Sequence, residues 1–321
     1  MIRKVIILIL IILIRSNSFV YSQSPVINSD TIILNKAIVQ KDTQSQYNKN
    51  KDTTKINPKR FALVASVVPL TTAGLFVYFQ KAWWKNSKTT FQWDMTYDWS
   101  YALSLDKAGH YWSSELAADV LSEMFQWAGV KRKQSLLYGG IFSATCGGIV
   151  EMKDAFAPKY GFSPSDFGAD ILGAFTPFLK EYIPFLRYFD IKWSYDFISK
   201  PDKTYLYETL PWGKNSSLMD RYERQNYYIT TNISTLLGKS KTFQIPECLN
   251  IAVGLSSCNV IGQVNRDARL EIYLSLDWNL QKMNVTKDKK IKKLIHFLDY
   301  YHYPAPAIRL RPNPILYPVN L

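Results

Sequence analysis

The middle of the chain carries acidic and imidazole side chains in strongly apolar surroundings, in three pairs with helical spacing. Residues three or four positions apart lie on one face of a helix. The pairs are Asp106 with His110, Glu151 with Asp154, and Asp166 with Asp170. A histidine among several carboxylates can bind a divalent metal ion or act in an acid and base pair. If the three faces converge, the sequence predicts hydrolytic or metal-assisted chemistry, for example on a lipid or glycan ester.

A lysine adjoins the first pair, and the whole set is also open to a structural interpretation. The candidate polar cluster consists of Asp106, Lys107, His110, Glu151, Asp154, Asp166 and Asp170, of which His110, Glu151, Asp154 and Asp170 are the candidate ligands of a divalent metal ion. The Glu-x-x-His arrangement of di-iron bundles is absent, and the chain has three histidines in all. The alternatives are a buried network, in which the acids cap helices or pair with Lys107 and Lys153, and a solvated helix face.

Three predicted helices position these pairs. They extend over 105–127, 133–156 and 163–178. The third begins with a capping signal, because Ser163 precedes Pro164 and an acid occupies the third helical position. The second allows close packing through small residues that recur every four positions. These are Gly140, Ala144 and Gly148, with Gly139, Ser143 and Gly147 beside them.

Ahead of these helices, residues 61–79 form a stretch without a charged side chain. As a helix this stretch would be roughly 28 Å long, which is barely enough to cross a bilayer. It is predicted to be a transmembrane helix, a buried core helix or a membrane-surface helix. An aromatic belt follows, which suits a membrane interface or an ordinary aromatic core. Its tryptophans are Trp83, Trp84, Trp93 and Trp99.

The N-terminus has the order of a secretory signal peptide, with two basic residues ahead of an apolar run at 5–14. Cleavage is predicted after Ser22, which makes residues 1–22 the signal peptide; Arg15 leaves a retained segment as the alternative. No cysteine directly follows this site, so a lipoprotein anchor is not expected. Residues 23–58 are polar and are predicted to form a disordered tether.

Charge and cysteine content exclude several classes of function. The formal net charge of +13 favours contact with anionic lipid headgroups in an exported chain. Nucleic acid is not an expected partner, because the lysines are scattered without a recognisable binding module. Cys146, Cys248 and Cys258 lack Cys-x-x-Cys spacing, which argues against a zinc knuckle or a redox motif. Cys248 and Cys258 are predicted either to form a disulfide or to stay unpaired and buried.

Beyond residue 200 the periodicity becomes that of β-strands. The predicted strands are 227–237, 249–256 and 270–280, and in the last one apolar and polar residues alternate. The apolar side is expected to lie on the helices, on a membrane or on another strand layer. The predicted fold class is α+β, with a membrane-apposed helical bundle followed by an antiparallel β-rich half. Its parts are a helical membrane-associated domain at 59–200, a β-rich region at 201–303 and a Pro-rich extended tail at 304–321.

The order of the motifs resembles a known family. The resemblance rests on Asp-Lys-Ala-Gly-His at 106–110, Glu-Met-Lys-Asp at 151–154, and Gly-Phe-Ser-Pro-Ser-Asp at 161–166 with Asp170 and Gly173. These segments are similar to the YfiM-like bacterial envelope family, domain of unknown function 2279, and motifs across residues 60–310 resemble its longer Bacteroidetes-type version. Asp170 stands where that longer pattern has Asn. The resemblance implies an exported, periplasm-facing protein with a helical, membrane-associated core, and it implies no particular reaction.

Two functions of different classes follow. The first is a non-enzymatic envelope protein with a structural, scaffolding or sensing role, in contact with membrane lipids and other envelope proteins. The second is a metal-assisted hydrolase or lipid-modifying enzyme that uses the polar cluster. Convergence of the side chains within about 5 Å on an accessible cavity would favour the enzyme, and sealing of the cluster by ion pairs would favour the first function.

Overall fold

The computed structural model describes residues 55–84, 90–94, 98–157, 160–203, 205–210, 217–237, 245–261 and 264–320. The predicted signal peptide and residues 23–54 of the predicted tether lie outside the described residues. The helices are α1 (Pro58–Ala82), α2 (Leu105–Trp127), α3 (Arg132–Asp154), α4 (Pro164–Tyr182), α5 (Leu206–Thr209), α6 (Ile233–Leu237) and α7 (Lys289–Leu298). The strands are β1 (Asp190–Tyr195), β2 (Gln225–Asn232), β3 (Leu249–Ile261), β4 (Val264–Trp278), β5 (Ala305–Arg311) and β6 (Ile315–Asn320).

Helices α2, α3 and α4 form a bundle in which glycines allow the backbones to approach closely. A methyl group on Gly139 of α3 would lie 2.3 Å from the carbonyl oxygen of Ala118 on α2. A methyl group on Gly173 of α4 would lie 2.1 Å from the carbonyl oxygen of Tyr111, also on α2. The small-residue spacing in α3 therefore sets the distance between the helices that carry the polar pairs.

The start of α4 follows its capping signal. Ser163 is the N-cap residue, and its Oγ accepts a hydrogen bond of 3.0 Å from the backbone N–H of Asp166. Pro164 occupies the first helical position, where a missing N–H costs nothing. This cap fixes the two acids of α4 relative to the end of α3.

Helix α1 packs one part of its surface on the bundle and exposes most of the rest. Val64 is buried against Phe125 of α2, whereas Leu70 is exposed. Among the described residues it is the one helix that is long and apolar enough to cross a membrane, judged by length and composition, with a mean hydropathy of 1.9 over an 18-residue window within Pro58–Lys81. Such a surface is typical of a helix that meets lipid or another apolar partner.

The predicted tryptophan belt divides between core and surface. Trp84 is buried, whereas Trp93 and Trp99 are exposed. The core alternative therefore holds for Trp84, and the membrane-interface alternative stays a prediction for the exposed tryptophans.

The strands of the described chain form one antiparallel sheet in the order β1-β2-β3-β4-β5-β6. The register aligns one row of residues on its first face: Lys192, Tyr228, Gly254, Tyr273 and Arg309. The adjacent row lies on the opposite face: Trp193, Tyr227, Leu255 and Ile272. We call the first the inner face and the second the outer face.

The inner face is buried and charged, and the outer face is apolar. On β4, Glu271 and Asp277 are buried, whereas Leu270 and Leu274 are exposed. Lys192 Nζ lies 2.9 Å from Asp277 Oδ2, and both side chains are fully buried. Because the inner charges are paired, the sheet can bury them at a tolerable cost in free energy.

The three alternatives for the apolar side are resolved only in part. At the β1–β2 end the outer face meets the helices, where the rings of Trp193 and Trp112 of α2 lie 5.1 Å apart. On β4, β5 and β6 the outer face is exposed within the described part of the chain, as for Leu274, Ile308 and Leu316.

The predicted fold class is confirmed, and several boundaries move. Strand β1 lies inside the region 59–200, which was predicted to be helical. The predicted strand 227–237 ends at Asn232, and α6 follows it. The segment 304–321, predicted to be a separate Pro-rich tail, supplies β5 and β6 of the sheet. Alternation explains this, because Ala305, Ala307 and Arg309 are buried while the residues between them are exposed.

Of the two alternatives for Cys248 and Cys258, the structure has the unpaired one, because both cysteines are free. Cys248 directly precedes β3 and Cys258 lies within it, so the two are separated by roughly 33 Å of extended chain at 3.3 Å per residue. The returning strand follows Cys258 and pairs it with Arg269 of β4. A disulfide needs Cα atoms about 4.4 to 6.8 Å apart. Cys258 is buried as the alternative expects, whereas Cys248 and Cys146 are half-buried.

Candidate functional site

The candidate residues fall into two adjoining groups, the first of which is an ion-pair group around Lys107. Its Nζ lies 2.8 Å from Asp106 Oδ2, 3.0 Å from Asp166 Oδ1 and 2.8 Å from Asp98 Oδ1. Burial lowers the pKa of Lys107, but the carboxylates outweigh this effect and hold the pKa above its usual value. The side chain is only 12% exposed, so this ammonium group is sealed between the starts of α2 and α4. The arrangement is that of a structural ion-pair network.

The second group consists of His110, Glu151 and Asp170, one from each helix of the bundle. His110 Nδ1 lies 3.2 Å from both carboxylate oxygens of Asp170, and Nε2 lies 3.9 Å from Glu151 Oε1. Ser114 Oγ donates a hydrogen bond of 2.7 Å to Asp170 Oδ1. One ligand atom from each of the three residues lies within 4.8 Å of the other two. We call these three residues the ligand triad.

The backbone around the ligand triad is shaped to bring it together. Glu151 Oε2 accepts a hydrogen bond of 3.1 Å from the backbone N–H of Ser163, the N-cap residue of α4. Gly147 lies one turn before Glu151 on α3, and a methyl group there would lie 2.4 Å from Asp170 Oδ2. The glycine therefore leaves the space into which the Asp170 carboxylate projects.

Asp154, the fourth predicted metal ligand, lies outside the ligand triad. Asp154 lies on α3 close to Glu151 in sequence, but its carboxylate accepts a hydrogen bond from the indole N–H of Trp84 and does not join the ligand triad. Asp166 and Asp106 belong to the Lys107 group. The structure thus places all the predicted residues in one region, where they divide into the Lys107 group, the ligand triad and Asp154, which belongs to neither.

A cavity of about 700 Å³ adjoins the ligand triad, and its other walls are mostly apolar and aromatic. Helix α1 contributes Leu75, Phe76 and Phe79 to the lining, and Trp83 directly after the helix also lines the cavity. The sheet side contributes Trp193, Tyr195 and Tyr227. A concave apolar site with a few convergent polar groups is typical of a small-molecule site.

Negative charge exceeds positive charge in this region. Burial raises the pKa of Glu151 to about 8 and the pKa values of Asp106 and Asp154 to about 7. Burial lowers the pKa of His110, but the hydrogen bond and charge of Asp170 outweigh it and raise the pKa to about 10. A bound cation would favour the ionised carboxylates in the same place.

The sequence analysis missed Asp98, which holds the Lys107 group together. Its Oδ1 accepts hydrogen bonds of 2.6 Å from Ser163 Oγ and 2.5 Å from Ser165 Oγ, besides its ion pair with Lys107. The only signal in the sequence is an acid inside the aromatic belt, in the same apolar surroundings that marked the other acids.

The turn between Asp98 and α2 has an unusual backbone. Ala102, Leu103 and Ser104 have φ values of 46°, 56° and 66°, in the left-handed region that costs an L-residue roughly 1 to 2 kcal/mol. Ser104 Oγ donates a hydrogen bond of 2.6 Å to the carbonyl oxygen of Trp99 and stabilises the turn. Backbone strain of this kind is concentrated at functional sites.

The helical bundle is the part of the chain that matches a known protein family. Residues 96–181 match the DUF2279 family. That family is described as a predicted periplasmic lipoprotein, and the matched residues include α2, α3, α4 and every residue of both polar groups. The resemblance to this family is confirmed, whereas the YfiM-like and Bacteroidetes-type details stay predictions. Among curated proteins and among solved structures, none matches the chain at a significant level.

The DUF2279 match identifies an exported protein of the cell envelope. This location agrees with the envelope location that the sequence predicts.

Proposed function

We propose that this envelope protein is a metal-dependent hydrolase that acts on a lipid substrate. The observation that carries the proposal is that His110, Glu151 and Asp170 lie within 4.8 Å of one another beside an apolar cavity. The carboxylates of the Lys107 group are engaged in ion pairs, so the ligand triad is the group that supports a catalytic role.

The distances suit a divalent cation. His110 Nε2 and Glu151 Oε1 lie 3.9 Å apart, close to the span of two ligands whose metal bonds are each about 2.0 to 2.2 Å long. Asp170 contacts Nδ1, and a carboxylate in that position orients a metal-binding histidine and leaves Nε2 for the ion. Imidazole and carboxylate together suit Zn²⁺ or Mn²⁺, and His110 Nε2 with Glu151 as the two protein ligands would leave coordination positions for water or substrate.

Helix α1 supports a lipid as the substrate class. Its residues Leu75, Phe76 and Phe79 line the cavity, and Leu75 is also exposed on the outside. An acyl chain along this wall would bring its ester or phosphoester group to the ligand triad, where a bound cation would supply Lewis acidity.

Metal analysis of tag-free protein, purified without chelator, tests the proposal. We expect about one divalent ion per chain in the wild type and none in His110→Ala or Glu151→Gln, because each variant removes one of the two facing ligands. His296→Ala is the matched control, since this histidine bonds Asp119 outside the cavity and its loss should leave the metal content unchanged. Chelation should lower the melting temperature of the wild type and of the control only.

A wild type without metal, combined with a loss of about 1 to 3 kcal/mol of stability in His110→Ala, would contradict the proposal and favour a structural network in a non-enzymatic envelope protein. Where metal is found, release of fatty acid or headgroup from phospholipid vesicles, by the wild type and not by Glu151→Gln, tests the hydrolytic step.

A further inference from the structure

Helix α7 turns its polar side toward the rest of the protein and its apolar side away. His296 Nε2 hydrogen-bonds Asp119 Oδ2 of α2, and Lys293 forms an ion pair with Glu123 of the same helix. The opposite side carries exposed apolar residues, which are Ile291 at 47%, Leu294 at 57% and Leu298 at 40%. This orientation is the reverse of that of a helix on the surface of a water-soluble domain.

The exposed apolar residues of α7 form one stripe with lysines on both sides. Residues 291, 294 and 298 follow the spacing i, i+3, i+7 of one helix face. Lys290 and Lys292 each lie one step of about 100° from Ile291, on opposite sides of it. The exposed lysines of the region are Lys287, Lys289, Lys290, Lys292 and Lys293.

We infer that α7 lies on the surface of a bilayer that contains anionic phospholipids. The stripe would enter the boundary between headgroups and acyl chains, and the lysines would reach the phosphates with their apolar stems along the stripe. Charge complementarity selects an anionic surface, because each lysine near such a surface contributes attraction that a neutral surface lacks.

The position of α7 in the fold supports the same occupant. The helix lies in the connection between β4 and β5, the two strands whose outer faces expose Leu274 and Ile308. A basic amphipathic helix suits the headgroup region of a bilayer, and an apolar sheet face suits the lipid tails. This surface does not involve the ligand triad, so it is independent of the proposed function.

Hydrogen–deuterium exchange of the full chain in lipid nanodiscs tests the inference. Amides of residues 289–298 should exchange several-fold more slowly in discs of phosphatidylcholine with phosphatidylglycerol than in discs of phosphatidylcholine alone. The double variant Lys290→Glu with Lys292→Glu should lose this difference, and Leu294→Gln should show faster exchange in both kinds of disc. The control Lys131→Glu with Lys133→Glu, which changes two exposed lysines at the start of α3, should keep the wild-type difference.

Exchange of the sheet amides provides the folding reference for every variant. Equal exchange of α7 in the two lipid mixtures, with an unchanged sheet, would overturn the inference. Protection that instead grows with protein concentration in detergent would also overturn it, because a second copy of the chain would then cover the stripe.

Discussion

At the scale of single residues, His110 is held by two carboxylates on opposite sides of its ring. The Asp170 contact fixes Nδ1, so a proton and a metal ion compete for Nε2. Because the pKa of His110 is raised to about 10, metal binding near neutral pH has to displace a proton. Metal affinity and pH are therefore linked at this residue.

The metal-free protein should lose stability as pH rises from 5 to 9. Burial raises the pKa of Glu151 from 4.5 to about 8 and that of Asp154 from 3.8 to about 7, so the folded state binds more protons than the unfolded state between these values. Asp170 raises the pKa of His110 from 6.5 to about 10 against the effect of burial, and the stabilisation from its charged form is lost over that range. Both effects lower the free energy of unfolding as pH increases.

Melting temperatures of chelator-treated protein across this pH range measure the effect. The decrease should be smaller in Glu151→Gln, whose side chain cannot ionise. Glu181→Gln should behave as the wild type does, because Glu181 lies in a separate ion pair with Arg132. A melting temperature of the chelated wild type that rises from pH 5 to 9 would contradict this prediction. It would show that neighbouring groups stabilise the ionised carboxylates enough to offset the cost of their burial.

At the scale of elements, α3 controls the geometry of the site because it packs against both α2 and α4 through glycines. Gly139 meets the carbonyl oxygen of Ala118, and Gly147 meets the Asp170 carboxylate. The first contact sets a distance between helices, and the second sets the position of a member of the ligand triad.

Substitution of these glycines should separate packing from metal binding. Gly139→Ala should cost about 1 to 3 kcal/mol, because the methyl group would overlap backbone that cannot move alone. Gly147→Ala should also weaken metal binding, since it displaces Asp170. Gly168→Ala on α4 is the control, because no atom lies within 4 Å of the added methyl group and a helical alanine should be neutral or stabilising by about 0.5 to 1 kcal/mol.

Chemical unfolding in detergent and metal titration of the same samples give both quantities. If Gly147→Ala matched Gly168→Ala in stability and in metal affinity, the close approach of α3 to Asp170 would not matter for the site.

The sequence was sufficient to predict β2, β3 and β4, but it did not predict β1, β5 or β6 or which face of the sheet is buried. In β4 the alternation is clear, yet the buried side is the one with Glu271 and Asp277. Their partners are Arg309 and Lys192, which lie 38 and 85 residues away in sequence. Local pattern contains no information on such pairs, so the apolar side was expected to be the covered one.

The polar pairs of the site could be predicted because each occupies one helix face, a property of local spacing. Their division into two groups could not be predicted. It depends on the ion pair of Lys107 with Asp98, and the chain between Asp98 and α2 contains a left-handed turn of non-glycine residues. Ala102 and Leu103 do not predict a left-handed backbone, because positive φ is uncommon for residues of these types.

At the scale of the whole molecule, much apolar surface is exposed within the described residues. It includes α1, the outer face of β4 to β6 and the stripe on α7. Charges are instead collected in the interior of the sheet and in the bundle. This distribution agrees with an envelope protein that meets lipid.

The protein should therefore stay with membranes in high salt and in alkaline carbonate, because salt screens lysine contacts but does not weaken apolar burial. Leu70→Arg on α1 should increase the fraction released by carbonate. Ile198→Arg is the control, since Ile198 is as exposed as Leu70, at 78% against 71%, and lies outside α1. Complete release of the wild type would show that attachment is peripheral.

Helix α1 forms one wall of the cavity. Under the proposed function, this wall affects how the reaction rate depends on substrate concentration. A substrate that arrives along this helix is presented at a concentration set by its mole fraction in the lipid surface, not by its amount per volume of solution. Dilution with inert lipid would then slow turnover at constant total substrate, whereas dilution with buffer would not. The enzyme would behave as a two-dimensional catalyst whose rate follows the composition of its membrane.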